Sequence, residues 1–275
     1  MSRNSDNRKR AFADVVAIDA WHQDFDGDTS KVDLHADVVF GTARVGGEEE
    51  APVRFRLSVR QAEIVVVIPE TEPVIVDKAS VSREAPEIHG QITETLEKHA
   101  QASVKAAVAG SMGSSGPSGS ADIGASAQRS IASSSKVEIT GTVQFMIVTQ
   151  SKTSEGYYRW IVQSRNGEPL AGRPWNGEEK PRLKLVDQRK DRTKGIPPTV
   201  RVEVRCRRED LKIEDLELKE ERLWHLVSSK LGHRNRMAAA ESYIRDRLTE
   251  EGLDVKNIED IFGQLTLGSA TAETC

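Results

Sequence analysis

The stretch PVRFRLSVRQAEIVVVIPE (Pro52–Glu70) sets two kinds of extended chain end to end. Val53, Phe55, Leu57 and Val59 alternate with Arg54, Arg56, Ser58 and Arg60, the period of a strand buried on one face. Ile64–Ile68 is continuously apolar, the pattern of a strand covered on both faces. Sheet formation therefore dominates the first third of the chain. Arg54, Arg56 and Arg60 read as the charged side of a sheet edge, where they either discourage pairing or select an acidic partner.

Working outward, FADVVAIDAW (residues 12–21), KVDLHADVVF (31–40) and PVIVDKASVSRE (73–84) also read as extended chain. The link HQDFDGDTSK places Asp24, Asp26 and Asp28 at alternate positions. A calcium loop of the EF-hand type then needs Gly sixth and Glu twelfth, and those places hold Thr29 and His35. An Asp-Gly turn between strands is the simpler reading. In residues 85–108 the apolar positions change spacing: Ile88, Ile92, Leu96, Ala100, Val104, Val108 and Met112 fall four apart, which predicts a helix ending near Gly110 or Gly113.

Residues 106–135 contain 30 positions, of which 22 are Ala, Gly or Ser. A lipid-facing hairpin needs large apolar side chains on alternate positions, and between Gly110 and Ser130 only Met112 and Ile123 qualify. A connector, or the return leg of a helical hairpin, is expected there. Beyond it, KVEITGTVQF (136–145) parallels KVDLHADVVF, matching Val137, Ile139, Val143 and Phe145 to Val32, Leu34, Val38 and Phe40. YRWIVQ (158–163) likewise matches FRLSVR (55–60), and TVRVEVRCRRE (199–209) matches PVIVDKASVSRE.

These parallels predict an α+β fold: two tandem antiparallel β-sheet units, each followed by helices, joined through the Ser/Gly/Ala-rich segment. The expected boundaries are an N-terminal β-rich unit with its helix at 11–105, the connector at 106–135, a second β-rich unit at 136–209 and a helical part at 210–267. Residues 1–10 and 268–275 read as disordered tails. In the helical part, Leu223, Leu226, Val227 and Leu231 form a face closed by Gly232, and Met237, Ala240, Ile244 and Leu248 one closed by Gly252. Ile258, Ile261 and Phe262 suggest a third, short helix.

The 275 residues are 37% hydrophobic, 30% charged and 5% aromatic with a formal charge of −4, a balance that fits a solvated globular chain and names no partner. Two cysteines, Cys206 and Cys275, are too few for a disulfide scaffold, and no apolar run approaches a membrane-spanning helix; a cytoplasmic protein is expected. Catalytic motifs fail on their chemistry. Gly172 and Gly177 have the spacing of a phosphate loop, yet Glu178 stands where Lys is required. No Gly-x-Ser-x-Gly is completed, and the six histidines lack zinc-ligand spacing. No catalytic residue, cofactor or metal is therefore assigned.

The strongest charge feature is KPRLKLVDQRKDRTKG (180–195), with Lys180, Arg182, Lys184, Arg189, Lys190, Arg192 and Lys194. It reads as a hairpin leading into TVRVEVRC, whose Val200, Val202, Val204 and Cys206 share a buried face. Its bases are a candidate contact for a polyanion or a partner, with Tyr157, Tyr158, Trp160 and Trp175 as stacking surfaces. In Arg234, Arg236, Arg245 and Arg247 the interspersed acids favour an ordinary exposed helix face.

The strand order and alternation over Val32–Val67 resemble the unit of SecB-type export chaperones. That resemblance implies grooves beside a sheet that bind other chains without catalysis, and no family motif carries over residue by residue. The expected function is thus a non-enzymatic, chaperone-like protein-binding or assembly component whose partner is another protein or a second copy. A nucleic-acid role through 180–194 is the alternative, followed by membrane perturbation through 104–131.

Overall fold

The computed structural model describes residues 7–25, 30–48, 51, 53–83, 89–94, 137–142, 146–164, 167–191, 196–218 and 229–274. The calcium-loop positions Asp26 and Asp28, the connector at 106–135, and Leu223, Leu226 and Val227 lie outside them. Residues 1–88 with 144–275 form one unit, and 89–143 form another.

Strand, at 51%, outweighs helix, at 12%, and the described residues contain one α-helix. The strands of the larger unit are β1 (Arg8–Arg10), β2 (Val16–His22), β3 (Lys31–Phe40), β4 (Ala43–Gly46), β5 (Val53–Val59), β6 (Gln61–Val67) and β7 (Val74–Asp77). The smaller unit contributes β8 (His89–Glu94) and β9 (Val137–Thr142). The larger unit resumes with β10 (Met146–Lys152), β11 (Tyr158–Ser164), β12 (Leu183–Asp187), β13 (Arg201–Arg207) and β14 (Leu211–Leu218). Helix α1 (Ser229–Glu250), β15 (Val255–Lys256), β16 (Gln264–Thr271) and β17 (Glu273–Thr274) complete it.

A seven-stranded sheet runs β1-β16-β13-β6-β11-β10, with β15 also on β16; a five-stranded sheet runs β17-β2-β3-β12-β7; and a three-stranded sheet runs β14-β5-β4. In the smaller unit β8 and β9 form an antiparallel pair. In the larger unit, β2 packs against β16 and β13 from the facing sheet, and Ile18 Cγ2 lies 3.2 Å from where a side chain at Gly268 would begin. Helix α1 covers β14 and β5 with buried Ala240, Ile244 and Leu248, and Tyr243 meets Phe55 edge-on at 6.0 Å.

The expected α+β fold of tandem units is overturned. Strands assigned to the first unit and to the second share sheets: β6 lies between β13 and β11, and β12 between β3 and β7. Lys31–Phe40 is a central strand of the five-stranded sheet, whereas Val137–Thr142 pairs with His89–Glu94, a segment expected to be helical. The strands of Val32–Val67 are divided among three sheets, so the consecutive unit behind the chaperone resemblance does not form.

The C-terminal region differs too. Residues 211–218 are a strand, and a register shift between Glu214 and Glu217, with Asp215 at φ 50°, breaks the alternation that would have revealed it. Helix α1 runs through Gly232, and Ile258–Phe262 forms turns that bury Ile258 but leave Ile261 and Phe262 exposed. Neither described tail segment is loose: Arg8–Arg10 pairs with β16, which extends to Thr271, and Glu273–Thr274 pairs with β2. Small residues carry this end because β16 runs against Ile18, where bulk has no room. Segment 180–195 is not one arm of a hairpin with β13 either, since β12 pairs β3 and β7 while β13 pairs β6 and β16.

Two expectations about stability follow. Gly252 (φ +66°) ends α1: its N–H donates to Thr249 O at 2.9 Å and the Leu253 N–H to Leu248 O at 2.9 Å, a Schellman pattern. Gly252→Ala should cost about 1 kcal/mol, read as a fall of about 2–4 °C in Tm. Cys206 is buried beside Val202 and Val204, and desolvation raises its thiol pKa well above the ordinary value. Native protein should leave Cys206 unmodified by a thiol reagent until denaturant is added, as mass spectrometry of the labelled peptide would report.

Candidate functional site

The residues that form β10, MIVTQSK, carry no charge before Lys152 and no proline. They pair with β11 in unbroken register from Met146↔Ser164 to Lys152↔Tyr158. The signal missed in the sequence is the spacing itself: two β-rich runs separated by TSEGY (153–157), with Gly156 at φ +90° in the turn. Met146 and Val148 are buried, Thr149 is exposed, and Lys152 Nζ sits 4.3 Å from the Tyr158 ring centroid.

Backbone bookkeeping shows which groups face away. The Thr153 N–H donates to Tyr157 O at 2.9 Å, so Thr153 and Tyr157 are a hydrogen-bonded pair. Antiparallel ladders alternate hydrogen-bonded and non-hydrogen-bonded pairs, which assigns Ile147, Thr149 and Ser151 to β11 and turns the N–H and C=O of Met146, Val148, Gln150 and Lys152 outward. Among the described residues β10 pairs on this one side only.

Three other outer strands, β1, β7 and β4, carry protection. β1, at the opposite end of the same sheet, is three basic residues, and Arg8 is paired with Asp19 at 2.7 Å. β7 has four residues and passes directly into the 3₁₀ turn Lys78–Ser80. β4 ends at Gly46 (φ +76°) and Gly47 (φ +88°), which turn the chain away. Charge, shortness and bends are the usual defences of a sheet edge, and β10 has none of them before Lys152.

The residues singled out from the sequence lie elsewhere. Arg54 and Arg56 are on β5, which is the middle strand between β14 and β4 and not an edge. Arg56 pairs with Asp215 at 3.3 Å, and Arg60 donates to Glu209 O. Of the basic cluster, Arg192 and Lys194 lie outside the described residues. Lys180 and Lys190 are exposed; Lys184 pairs with Asp33 at 3.1 Å, and Arg189 with the buried Asp187 at 2.8 Å.

Arg182 departs furthest from a surface role. Its relative exposure is 2%, and its guanidinium carbon lies 4.3 Å from the Trp175 ring centroid and 5.3 Å from that of Trp160. It donates to Ser82 Oγ, while its Nε has no hydrogen-bond partner among the described residues. The tryptophans are spent on the core, Trp160 Nε1 donating to Ser82 O at 2.8 Å and Trp175 Nε1 to Ala36 O at 2.7 Å. Both indoles of the expected stacking surface are therefore buried, Tyr157 and Tyr158 are half-buried, and the five described bases do not form one exposed patch, because Arg182 is in the core.

Among the described residues no group of three or more His, Cys, Asp or Glu side chains is placed to hold a metal ion. A shallow cleft beside α1 is lined by Arg44, Glu48, Tyr243 and Arg247; the Tyr243 hydroxyl donates to Glu48 at 3.3 Å, and burial raises its pKa. No helix among the described residues is long and apolar enough to cross a membrane. Comparison of the sequence with family models and with curated proteins finds no match.

Burial lowers the pKa of Arg182 to about 10, which still leaves it cationic at neutral pH. Desolvating a cation costs several kcal/mol, more than one hydroxyl contact and two ring faces return. Arg182→Met should therefore be at least as stable as wild type at pH 7, whereas Arg182→Ala, which empties the space between two indoles, should lose about 2–5 kcal/mol. The folded-state pKa lies below the unfolded one, so the unfolded chain binds more protons above pH 10 and wild-type stability rises there. The advantage of Arg182→Met should narrow over that window in paired urea titrations. Unchanged stability in Arg182→Ala would instead place this residue at the surface.

Proposed function

We propose that the chain is a non-enzymatic protein-binding or assembly component that takes up an extended segment of another protein, or of a second copy, along β10. The observation that carries this reading is the edge itself: an unbulged run with outward N–H and C=O groups at Met146, Val148, Gln150 and Lys152, on a sheet whose opposite end is closed by three basic residues. An added strand gains main-chain hydrogen bonds, each worth about 0.5–1.5 kcal/mol net, and its alternate side chains supply specificity.

The basic cluster gives less to a polyanion. Arg182 is in the core and Lys184 and Arg189 are paired with carboxylates, which leaves fewer bases to displace counterions. A reducing cytoplasm suits a chain whose buried Cys206 is a free thiol, and is the compartment we assign.

Gln150→Pro removes one outward N–H without touching the ladder to β11, a substitution that edge strands accommodate. Cross-linking of the full chain should yield a complex of fixed stoichiometry that Gln150→Pro abolishes and that Lys180→Glu with Lys190→Glu leaves intact. Salt-sensitive retention of DNA or RNA, lost with the lysine changes and unaffected by Gln150→Pro, would reverse the assignment.

A further inference from the structure

We infer that the occupant of the β10 edge is β10 of a second copy, in an antiparallel pair centred on Thr149. The inference rests on the edge-binding reading above and names its partner. Closed pairs of identical chains are related by a two-fold axis, and antiparallel strand pairing is the strand geometry that such an axis permits.

One register about that axis pairs all of Met146–Lys152. With Thr149 opposite Thr149 of the partner copy, Val148 stands opposite Gln150, Ile147 opposite Ser151, and Met146 opposite Lys152. The residues whose backbone groups point outward are Met146, Val148, Gln150 and Lys152, fixed by the Thr153–Tyr157 bond. In this register each of them faces another member of the same set, so every outward N–H meets an outward C=O along the whole strand. Thr149–Thr149 becomes a non-hydrogen-bonded pair, the kind in which side chains approach most closely, and threonine hydroxyls across such a pair can bond to each other.

Charge also selects this edge. Lys152 is the only charged residue in β10, and it faces Met146 rather than its own counterpart. The same operation at β1 would set Lys9 against Lys9 and Arg8 against Arg10, and like charges directly opposite destabilise a pair. A two-fold at β10 therefore yields a continuous sheet whose two ends are the basic β1 strands. That arrangement stops at two copies and does not propagate.

The test uses charge at the axis, on a side chain that is exposed in the single chain. Full-length wild type should sediment as a dimer at tens of micromolar. Thr149→Lys and Thr149→Glu should each weaken dimerisation at least tenfold, by placing like charges opposite one another. An equimolar mixture of the two should recover the dimer. A wild type that stays monomeric, with Gln150→Pro still abolishing a complex with some other protein, overturns self-pairing and leaves the edge-binding reading standing. A dimer that persists in both charge variants overturns the β10 axis. Circular dichroism matching wild type confirms that the variants are folded, and loss of β-sheet signal in both substitutions would overturn the exposed placement of Thr149.

Discussion

The burial of β6 on both faces is the constraint on which the larger unit depends. Ile64, Val65 and Val66 are nearly inaccessible, and a strand so apolar is tolerable only with a paired strand on each side and cover above and below. Its partners come from far along the chain: β11 on one side and β13 on the other. The seven-stranded sheet therefore closes only when the first third of the larger unit meets its later strands. Formation of this core is a non-local event, with the slow, loop-closing character of such topologies. In the same sheet β16 pairs with β13, and its side chains are small enough for the close approach of β2 from the facing sheet.

One residue separates β6 from β5, and that residue turns the chain out of one sheet into another. The Arg60 N–H donates to Asp210 O and its guanidinium to Glu209 O, while Leu170 N–H donates to Val59 O at the same corner. Backbone groups at this change of sheet are thus met by chain from two places, Leu170 and Glu209–Asp210. The alternation in VRFRLSV and the apolar run in IVVV were legible as two burial patterns, and both are realised except at Ser58, which is buried instead of lying on the exposed face. That they part company at Arg60 was not, because the partners that satisfy the corner lie at 170, 209 and 210.

The misread segments failed for definite physical reasons. Ile88 and Ile92 lie four apart, a spacing that falls on one face of a helix and equally on one face of a strand, since four is an even number of residues. His89–Glu94 took the second option. The parallel between Lys31–Phe40 and Lys136–Phe145 reflects the common grammar of strands, and β3 and β9 have unrelated partners. β16 was invisible because GSAT has no bulk to announce burial; its small side chains are the requirement of the Ile18 contact. The basic cluster misled because spacing along the chain does not give burial: Arg182 faces inward, while Lys184 on β12 faces out. At the edge itself the composition of MIVTQSK was legible, but its position was not, because what makes β10 an edge is the order of strands.

Placement of charge explains why so polar a chain can leave one strand unprotected. Ionic side chains are set in opposite-sign pairs: Glu63 with Arg159 and Asp33 with Lys184 on adjacent strands, Asp77 with Lys31 across β12, and Asp19 with Arg8 between two sheets. Within β13, Glu203 is nearly buried between Arg201 and Arg205, both at 2.7 Å. Each pair neutralises locally, so much of the sheet surface is highly charged and carries little net field. Such faces stay solvated and resist non-specific contact without selecting a polyanion. β10 stands outside this scheme, because its one cation lies over the Tyr158 ring of the adjacent strand and the rest of its length is neutral. Among the described residues, this edge is thus left with outward N–H and C=O groups and little charge to guard them.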